Sequence, residues 1–433
     1  MGNLLSARLL MALSLSFHIF FASISMILPF LMFASHLLSK KKQDSDYEKL
    51  TRFWTKGVAI LFAVGAVSGT ILSFELGLLW PTFMQHAGPI FGMPFSFEGT
   101  AFFIEAIALG FFLYGKNKIP DFLHTFSGLM VGVAGLASGI LVISANAWMN
   151  SPSGFVFENG IFHSIDPIAA MFNAAWLGQA MHMVAAAGQA TCFLVAGIHA
   201  ALILSKKNVQ LHQKAFKIAI IPACIISLIL PLTGDFAAKS VFKRQPVKFA
   251  AMEAHFHTEK GATFNLGGIP NLETYDVDYA IKIPKLLSIL AKANPNAEVK
   301  GLLDFDRDLW PNVKIVHLAF QIMIAIGSFF AGLSLILLFF LFKKAHLFLH
   351  PYLLKLLVCV APLGFIAIEA GWIVTEVGRQ PWIIYGIMKT KDAVTPVPGM
   401  DYYLYLFTSI YVLLAITVLW LMQRQFQASL KDD

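Results

Sequence analysis

The chain contains a series of long apolar runs, and this feature restricts its fold more than any other. Nine runs can be counted, and most reach the roughly 20 residues that a helix needs to cross a bilayer. In lipid, every backbone polar group must be satisfied within its own segment, so runs of this length predict transmembrane helices. They cover residues 9–38, 53–80, 95–114, 123–147, 174–204, 215–238, 312–342, 352–376 and 402–422.

The composition agrees with a membrane protein. Of the 433 residues, 57% are hydrophobic and 13% are charged, whereas soluble domains carry about 25% charged residues. The net charge of +7 does not indicate a nucleic-acid partner, because basic residues that flank membrane helices give the same balance. We therefore predict an all-α, polytopic membrane protein with nine transmembrane helices in a lipid bilayer and no nucleic-acid partner.

The distribution of lysine and arginine predicts the orientation. The loops after the first, third, fifth and seventh runs are basic, whereas those after the second and fourth contain neither residue. Because positive loops face the cytoplasm, the N-terminus should lie outside and the C-terminus in the cytoplasm. The expected parts are helices one to six (1–238), a polar extracytoplasmic loop (239–311) and helices seven to nine (312–433).

Several side chains that can ligate metals or transfer protons lie inside these runs, where ionisable groups are functional candidates by default. Counted at about 1.5 Å per residue, five of them fall in the outer half of the membrane. Glu105 follows Glu98 on the same helix face, about 10 Å deeper. The five are His18, Glu98, His182, Met323 and Glu369.

These residue types allow two classes of protein. Histidine and methionine are axial ligands of haem iron, and helical bundles build cofactor sites from side chains on facing helices. However, a single histidine in a span is more often packed or hydrogen-bonded than a ligand, and the chain has 16 methionines. Buried carboxylates equally suit an ion- or proton-coupled secondary transporter. The residues alone leave both classes open.

Four ordered motifs carry a resemblance to a known family. They are "FELGLLWPTFMQHAGPIFGMPFSFEGTAFFIEAIALGFFLYG", "SANAWMNSP", "GDFAAKSVFKRQPVKFAAMEA" and "EAGWIVTEVGRQPW". In this order they resemble subunit I of the cytochrome bd-type quinol oxidases, and GRQPW is the most specific of them. "FELGLLWP" and "FFIEAI" resemble the cyanide-insensitive branch of that family.

The resemblance implies haem ligands. His182 and Met323 would ligate the iron of a low-spin haem b. His18 and Glu369 would each ligate the iron of one high-spin haem. One of these would be a haem b, and the other a haem d or a third haem b.

The resemblance also implies roles around the haems. Glu98 would lie beside the haem that reduces O2, and Glu105 would belong to a nearby proton or propionate network. With Glu369, these carboxylates would be the catalytic residues. Asn146 and Trp148 would line the same region.

Two further pairs follow from the resemblance. Lys248 and Glu253 would bind quinol in the extracytoplasmic loop. Arg379 and Trp382 would lie over the haems, where an arginine can hold a haem propionate in a bidentate manner. The chain departs from the family at Gln321, where an arginine is frequent, and at Phe365, where many members have tryptophan. Loss of a cation at Gln321 should lower the potential of the nearby haem.

The function implied is a quinol:O2 oxidoreductase of the respiratory chain in the bacterial cytoplasmic membrane. Quinol would be oxidised on the outer side, O2 reduced to water, and a proton gradient generated by vectorial proton uptake. The partner would be a second membrane subunit in a heterodimer, with small accessory subunits left open. The alternatives are a secondary transporter and a non-catalytic membrane haem protein.

Overall fold

The structure is a computed structural model that describes residues 2–429. Helices dominate this part of the chain. They are α1 (Asn3–Lys42), α2 (Ser45–Leu79), α3 (Pro81–Tyr114), α4 (Asp121–Asn150), α5 (Pro167–Met171), α6 (Trp176–Leu204), α7 (Val209–Arg244), α8 (Pro246–Met252), α9 (Leu286–Lys292), α10 (Val313–Lys343), α11 (Ala345–Phe348), α12 (Pro351–Val360), α13 (Leu363–Val377), α14 (Thr390–Ala393) and α15 (Met400–Ser429).

Within the described residues, nine helical segments are long and apolar enough to cross a membrane. They correspond one to one with the nine apolar runs, so the predicted all-α membrane architecture is confirmed. The eighth segment consists of α12 and α13, which meet at Ala361 and Pro362.

The largest difference from the predicted boundaries is at the third segment. Helix α3 begins at Pro81 instead of residue 95, because Pro89 and Pro94 lie inside the helix and do not end it. Proline is tolerated in membrane helices, where neighbouring groups satisfy the freed backbone carbonyls. The sixth segment also extends further than expected, to Arg244 instead of residue 238.

The long helices pack mainly as neighbours in sequence, α1 with α2, α3 with α4 and α6 with α7, and α10 packs against α13. Small residues allow the closest approaches. A Cβ atom added to Gly364 of α13 would lie 2.6 Å from the Cα atom of Ala190 in α6. These contacts bring the ends of α4, α6, α7, α10 and α13 around a common space.

The polar segment between α7 and α10 is folded. It contains α8, α9, two short 3-10 helices (Leu302–Asp304 and Arg307–Leu309) and six of the ten strands. All strand pairs are antiparallel: β1–β2, β3–β8, β4–β7, β5–β6 and β9–β10. The strands are β1 (Val156–Glu158), β2 (Ile161–His163), β3 (Glu259–Lys260), β4 (Phe264–Leu266), β5 (Ile269–Asn271), β6 (Asp276–Asp278), β7 (Ile281–Ile283), β8 (Glu298–Val299), β9 (Trp382–Ile384) and β10 (Met388–Lys389).

Candidate functional site

A cavity of about 430 Å³ lies between α4, α6, α7, α8, α10 and α13. Five of the residues singled out in the sequence line it: His182, Met323, Asn146, Lys248 and Glu253. The cavity therefore joins the two predicted axial ligands of one haem to the two predicted quinol-binding residues.

The histidine that lines this cavity has a defined tautomer. Nδ1 of His182 lies 3.2 Å from Oγ1 of Thr233, and this hydroxyl donates its own proton to the carbonyl oxygen of Leu230 at 2.9 Å. The hydroxyl oxygen must therefore accept a hydrogen bond from the Nδ1–H group of His182. Nε2 keeps its lone pair, which is the arrangement that a metal-ligating histidine requires.

His18 has the same arrangement on a different helix pair. Its Nδ1 lies 2.9 Å from Oγ of Ser68 in α2, and Ser68 donates to the carbonyl oxygen of Val64 at 2.9 Å. Nε2 of His18 is thereby also left with a lone pair. His18 does not line the cavity of His182.

Glycines make room beside the two predicted ligands in the cavity. A Cβ atom at Gly371 would lie 3.1 Å from Sδ of Met323, and one at Gly234 would lie 3.3 Å from Cε1 of His182. A soft sulfur ligand, an imidazole with a free Nε2 and an apolar space between them suit an iron porphyrin. The residues present therefore fit a haem at this position.

The carboxylates predicted on α3 lie away from this cavity. Oε1 of Glu98 accepts a hydrogen bond from Oγ of Ser138 in α4 at 3.0 Å. Glu105 is buried two helical turns further along the same face of α3, and a Cβ atom at Gly135 of α4 would lie 3.2 Å from its carboxylate oxygens. Both acids thus face the α3–α4 contact.

Glu369 lies on α13, where this helix approaches α1. The rings of Phe20 in α1 and Phe365 in α13 have centroids 4.5 Å apart. The departure at Phe365 therefore keeps an aromatic contact between the helices that carry His18 and Glu369.

Two predicted residues lie in packed surroundings outside the cavity. The Trp148 indole is buried against Phe91 and Phe155, and its Nε1 donates to the carbonyl oxygen of Ser153 at 3.0 Å. Trp382 begins β9, with Nζ of Lys389 over its ring at 5.6 Å. In this structure both contribute packing around the site and line no part of the cavity.

A series of hydrogen-bonded polar side chains, buried or half-buried, starts at the quinol-binding candidate Lys248. Nζ of Lys248 donates to Oδ1 of Asn150 at 3.3 Å, and Nδ2 of Asn150 donates to Oδ1 of Asn146 at 3.1 Å. Nδ2 of Asn146 donates to Oε1 of Glu376, and Arg379 pairs with Oε2 of the same carboxylate, both at 2.5 Å. The chain connects the GRQPW turn to the wall of the cavity, and we call it the polar chain.

Arg379 has unused hydrogen-bonding capacity. Its side chain is only 3% exposed, yet Nε and Nη1 have no partner among the described residues. Burial lowers the pKa of this guanidinium, and the nearby Glu376 carboxylate opposes that shift. Two buried donors without acceptors suit a carboxylate such as a haem propionate.

The two quinol-binding candidates have ionisation properties that suit proton transfer. Burial, with a smaller contribution from Arg379, lowers the pKa of Lys248 to about 7. Burial raises the pKa of Glu253 to about 8. Oε2 of Glu253 has no partner within the described part of the chain. Both groups can therefore change protonation near neutral pH, as a general acid or base must.

Sequence reasoning missed several of these contributors. Ser68 and Thr233 select the histidine tautomers, but single hydroxyl residues in apolar helices carry no distinctive signal. Asn150 belongs to the conspicuous "SANAWMNSP" stretch, yet its role in the polar chain depends on contacts with distant segments. Glu376 is visible in the sequence as a second carboxylate on the same helix face as Glu369, but its contacts with Asn146 and Arg379 are not.

The fold and the buried ligating side chains are typical of a membrane redox protein. The sequence matches the family model described as cytochrome bd terminal oxidase subunit I over residues 6–430. The chain therefore belongs to the cytochrome bd terminal oxidase subunit I family, and the resemblance stated from the sequence is confirmed.

Individual relatives agree over nearly the whole length. A putative cytochrome bd menaquinol oxidase subunit I of Bacillus subtilis (strain 168) is 33% identical over 439 residues, covering 100% of this chain and 98% of the relative. Cytochrome bd-II ubiquinol oxidase subunit 1 of Escherichia coli (strain K12) is 26% identical over 488 residues, covering 95% and 94%. The bd oxidase structure from Geobacillus thermodenitrificans matches with a TM-score of 0.92 and 36% identity, covering 98% of each chain.

Membership of this family establishes the general activity. The chain is a subunit of a haem-containing quinol oxidase, and it is a multi-pass protein of the bacterial cytoplasmic membrane. Being a subunit I, it implies a subunit II as partner.

Proposed function

We propose that this chain binds three haems, oxidises quinol on the extracytoplasmic side and reduces O2 to water. The observation that carries the proposal is the single cavity shared by His182, Met323, Lys248 and Glu253. Quinol bound at one wall of this cavity could pass electrons directly to a haem bound at another wall, without a carrier between them.

In this proposal His182 and Met323 hold a low-spin haem b, which supplies one-electron transfer when bound. Lys248 and Glu253 bind the quinol, and the deprotonated form of Glu253 accepts a proton from it. The raised pKa of Glu253, about 8, makes the carboxylate a stronger base than an exposed glutamate. Arg379 holds a propionate through its unpaired Nε and Nη1.

His18 and Glu369 hold the two high-spin haems, one a haem b and the other a haem d or a third haem b. Glu98 faces the O2-reducing haem. Glu105 passes protons from the cytoplasmic side toward the site of O2 reduction. Quinol protons leave on the outer side, where the N-terminus and the loop lie, and the C-terminus is cytoplasmic. Proton uptake from the opposite side then separates charge without a pump.

The partner in the proposal is a second membrane subunit in a heterodimer, and small accessory subunits remain compatible with it. Relatives are named for menaquinol and for ubiquinol, so the proposed substrate is a quinol of either ring type.

The test is the optical spectrum of the purified complex with its partner subunit. In His182→Ala, the low-spin haem b band of the reduced-minus-oxidised spectrum should disappear, while the high-spin signals remain. The exposed His163 in β2 offers a matched control, since His163→Ala should keep all bands. An unchanged low-spin band in His182→Ala would show that the ligand assignment is wrong.

A further inference from the structure

Two buried polar residues on α10 hold the segment between α7 and α10, which we call the quinol loop (residues 245–312). His317 and Gln321 are one helical turn apart and therefore lie on the same face of α10. The His317 side chain is 0% exposed, and Gln321 is buried beside it. Neither residue is part of the ligand set or the quinol pair assigned above.

Both residues lie within hydrogen-bond distance of the same glycine of the loop. Oε1 of Gln321 accepts a hydrogen bond from the backbone N–H of Gly267 at 2.9 Å. Nε2 of His317 lies 3.2 Å from the carbonyl oxygen of Gly267. Gly267 and Gly268 connect β4 to β5 with φ of +69° and +85°, a left-handed conformation that side chains other than glycine rarely adopt.

Each residue also holds a second point of the loop. Nε2 of Gln321 donates to the carbonyl oxygen of Asn265 at 3.0 Å. Nδ1 of His317 lies 2.8 Å from the carbonyl oxygen of Met252, the residue directly before Glu253. A neutral imidazole has one N–H, so His317 donates to one of its two carbonyl neighbours at a time. The two side chains thus join α10 both to the β4–β5 turn and to the end of α8. We call this set of contacts the loop clamp.

The clamp explains why residue 321 is a glutamine in this chain. The loop presents a carbonyl oxygen at Asn265 and an N–H group at Gly267, so its partner must both donate and accept. A carboxamide does both, whereas an arginine has donors only. The side chain therefore matches the backbone of the loop and is more than a neutral substitute for a cation.

The clamp connects the two sides of the cavity. Gln321 precedes Met323 by two residues on α10, and His317 binds the residue before Glu253. Met323 and Glu253 both line the cavity. A shift of the loop relative to α10 would therefore change the position of Glu253 relative to the sulfur ligand.

We propose that His317 and Gln321 are positioning residues that fix the quinol loop on the helix of Met323 and thereby set the affinity for quinol. The proposal rests on the function assigned above, since it takes the loop to bind quinol. Neither residue contacts the reacting atoms in this account.

The experiment uses the purified complex with its partner subunit. Gln321→Met keeps the size of the side chain and removes both hydrogen bonds. Amide hydrogen exchange in the segment 264–268 should become roughly tenfold faster, as expected when about one hydrogen bond's net stabilisation is lost. The KM for a short-chain quinol should rise by a similar factor, kcat should change less, and the low-spin haem spectrum should stay unchanged.

Three companion variants sharpen the test. Gln321→Glu retains the acceptor for Gly267 and should recover part of the exchange protection. His317→Phe keeps the ring shape without nitrogen atoms and should act like Gln321→Met. Ser334 lies on the same helix, is buried and is not a member of the loop clamp, so Ser334→Ala should leave exchange and KM unchanged.

The outcomes are distinguishable. Faster exchange together with a higher KM supports the proposal. Unchanged exchange in both Gln321→Met and His317→Phe overturns the clamp itself, and faster exchange with an unchanged KM overturns its role in quinol binding. A wild-type complex that oxidises no quinol would overturn the proposed function, while the exchange data would still decide whether the clamp holds the loop.

Discussion

Thr233 and Ser68 show how a single hydroxyl determines the chemistry of a buried histidine. Each donates to a carbonyl one turn earlier in its own helix and therefore accepts from a histidine Nδ1. Neutral imidazole has one N–H, so the choice of donor at Nδ1 leaves Nε2 with a lone pair that is free to bind a metal. An N–H donated to oxygen also raises the basicity of the ligating nitrogen.

This argument predicts the effect of Thr233→Val, which preserves the shape of the side chain. Without the hydroxyl acceptor, the imidazole of His182 becomes a weaker donor to ferric iron, so the midpoint potential of the low-spin haem should rise. Spectroelectrochemical titration measures this potential. Thr70→Val is the control, because among the described residues Oγ1 of Thr70 bonds only to the carbonyl oxygen of Ala66. Equal potentials in Thr233→Val and wild type would contradict the tautomer argument.

At the scale of elements, α13 can pack closely against α6 because Gly364 has no side chain. A Cβ there would approach backbone and Cβ atoms of Ala190 at 2.6 and 2.8 Å. Backbone atoms cannot rotate away, so the two helices would have to separate. Since α13 carries Glu369 and faces Met323 through Gly371, the spacing of this helix pair affects both ligand positions.

Gly364→Ala should therefore destabilise the complex by about 1–3 kcal/mol, the range for overpacking a tight contact. Thermal unfolding in detergent, followed by loss of the haem absorption bands, measures the change. Gly110→Ala in α3 is the matched control, since a Cβ there meets nothing within 4 Å. If both variants unfolded at the same temperature as wild type, the close α6–α13 contact would not be limiting.

The membrane segments could be predicted from the sequence, whereas the start of α3 and the polar contacts could not. An apolar run of membrane length can be recognised directly in a sequence, so all nine segments were found. The start of α3 was missed because Pro89 and Pro94 resemble a helix boundary, although membrane helices accommodate proline. The polar chain and the loop clamp were not predictable, because they join residues such as Gln321 and Gly267 that lie far apart in sequence and follow no periodicity.

At the scale of the whole molecule, the proposed charge separation depends on which side the quinol loop faces. Tyr279 in this loop is 93% exposed, and Lys207 in the loop between α6 and α7 is also exposed. The exposed Cys359 can be replaced by serine to remove background labelling. These positions allow the sidedness to be measured directly.

Tyr279→Cys should react with a membrane-impermeant maleimide in right-side-out vesicles and be protected in inside-out vesicles. Lys207→Cys should show the reverse, because the basic α6–α7 loop should face the cytoplasm. Labelling is read by the mass of the protein. The opposite pattern would place quinol oxidation on the cytoplasmic side and remove the basis for charge separation by proton uptake alone.

The polar chain has a thermodynamic consequence. Arg379 lies close enough to Lys248 to lower the pKa of its ammonium group, in addition to the larger effect of burial. A carboxylate bound at Arg379 would offset that repulsion and favour protonation of Lys248. Linkage is reciprocal, so a change in the protonation of Lys248 must alter the affinity at Arg379 by the same factor. Carboxylate binding at Arg379 and protonation of Lys248 are therefore coupled equilibria, each of which shifts the other.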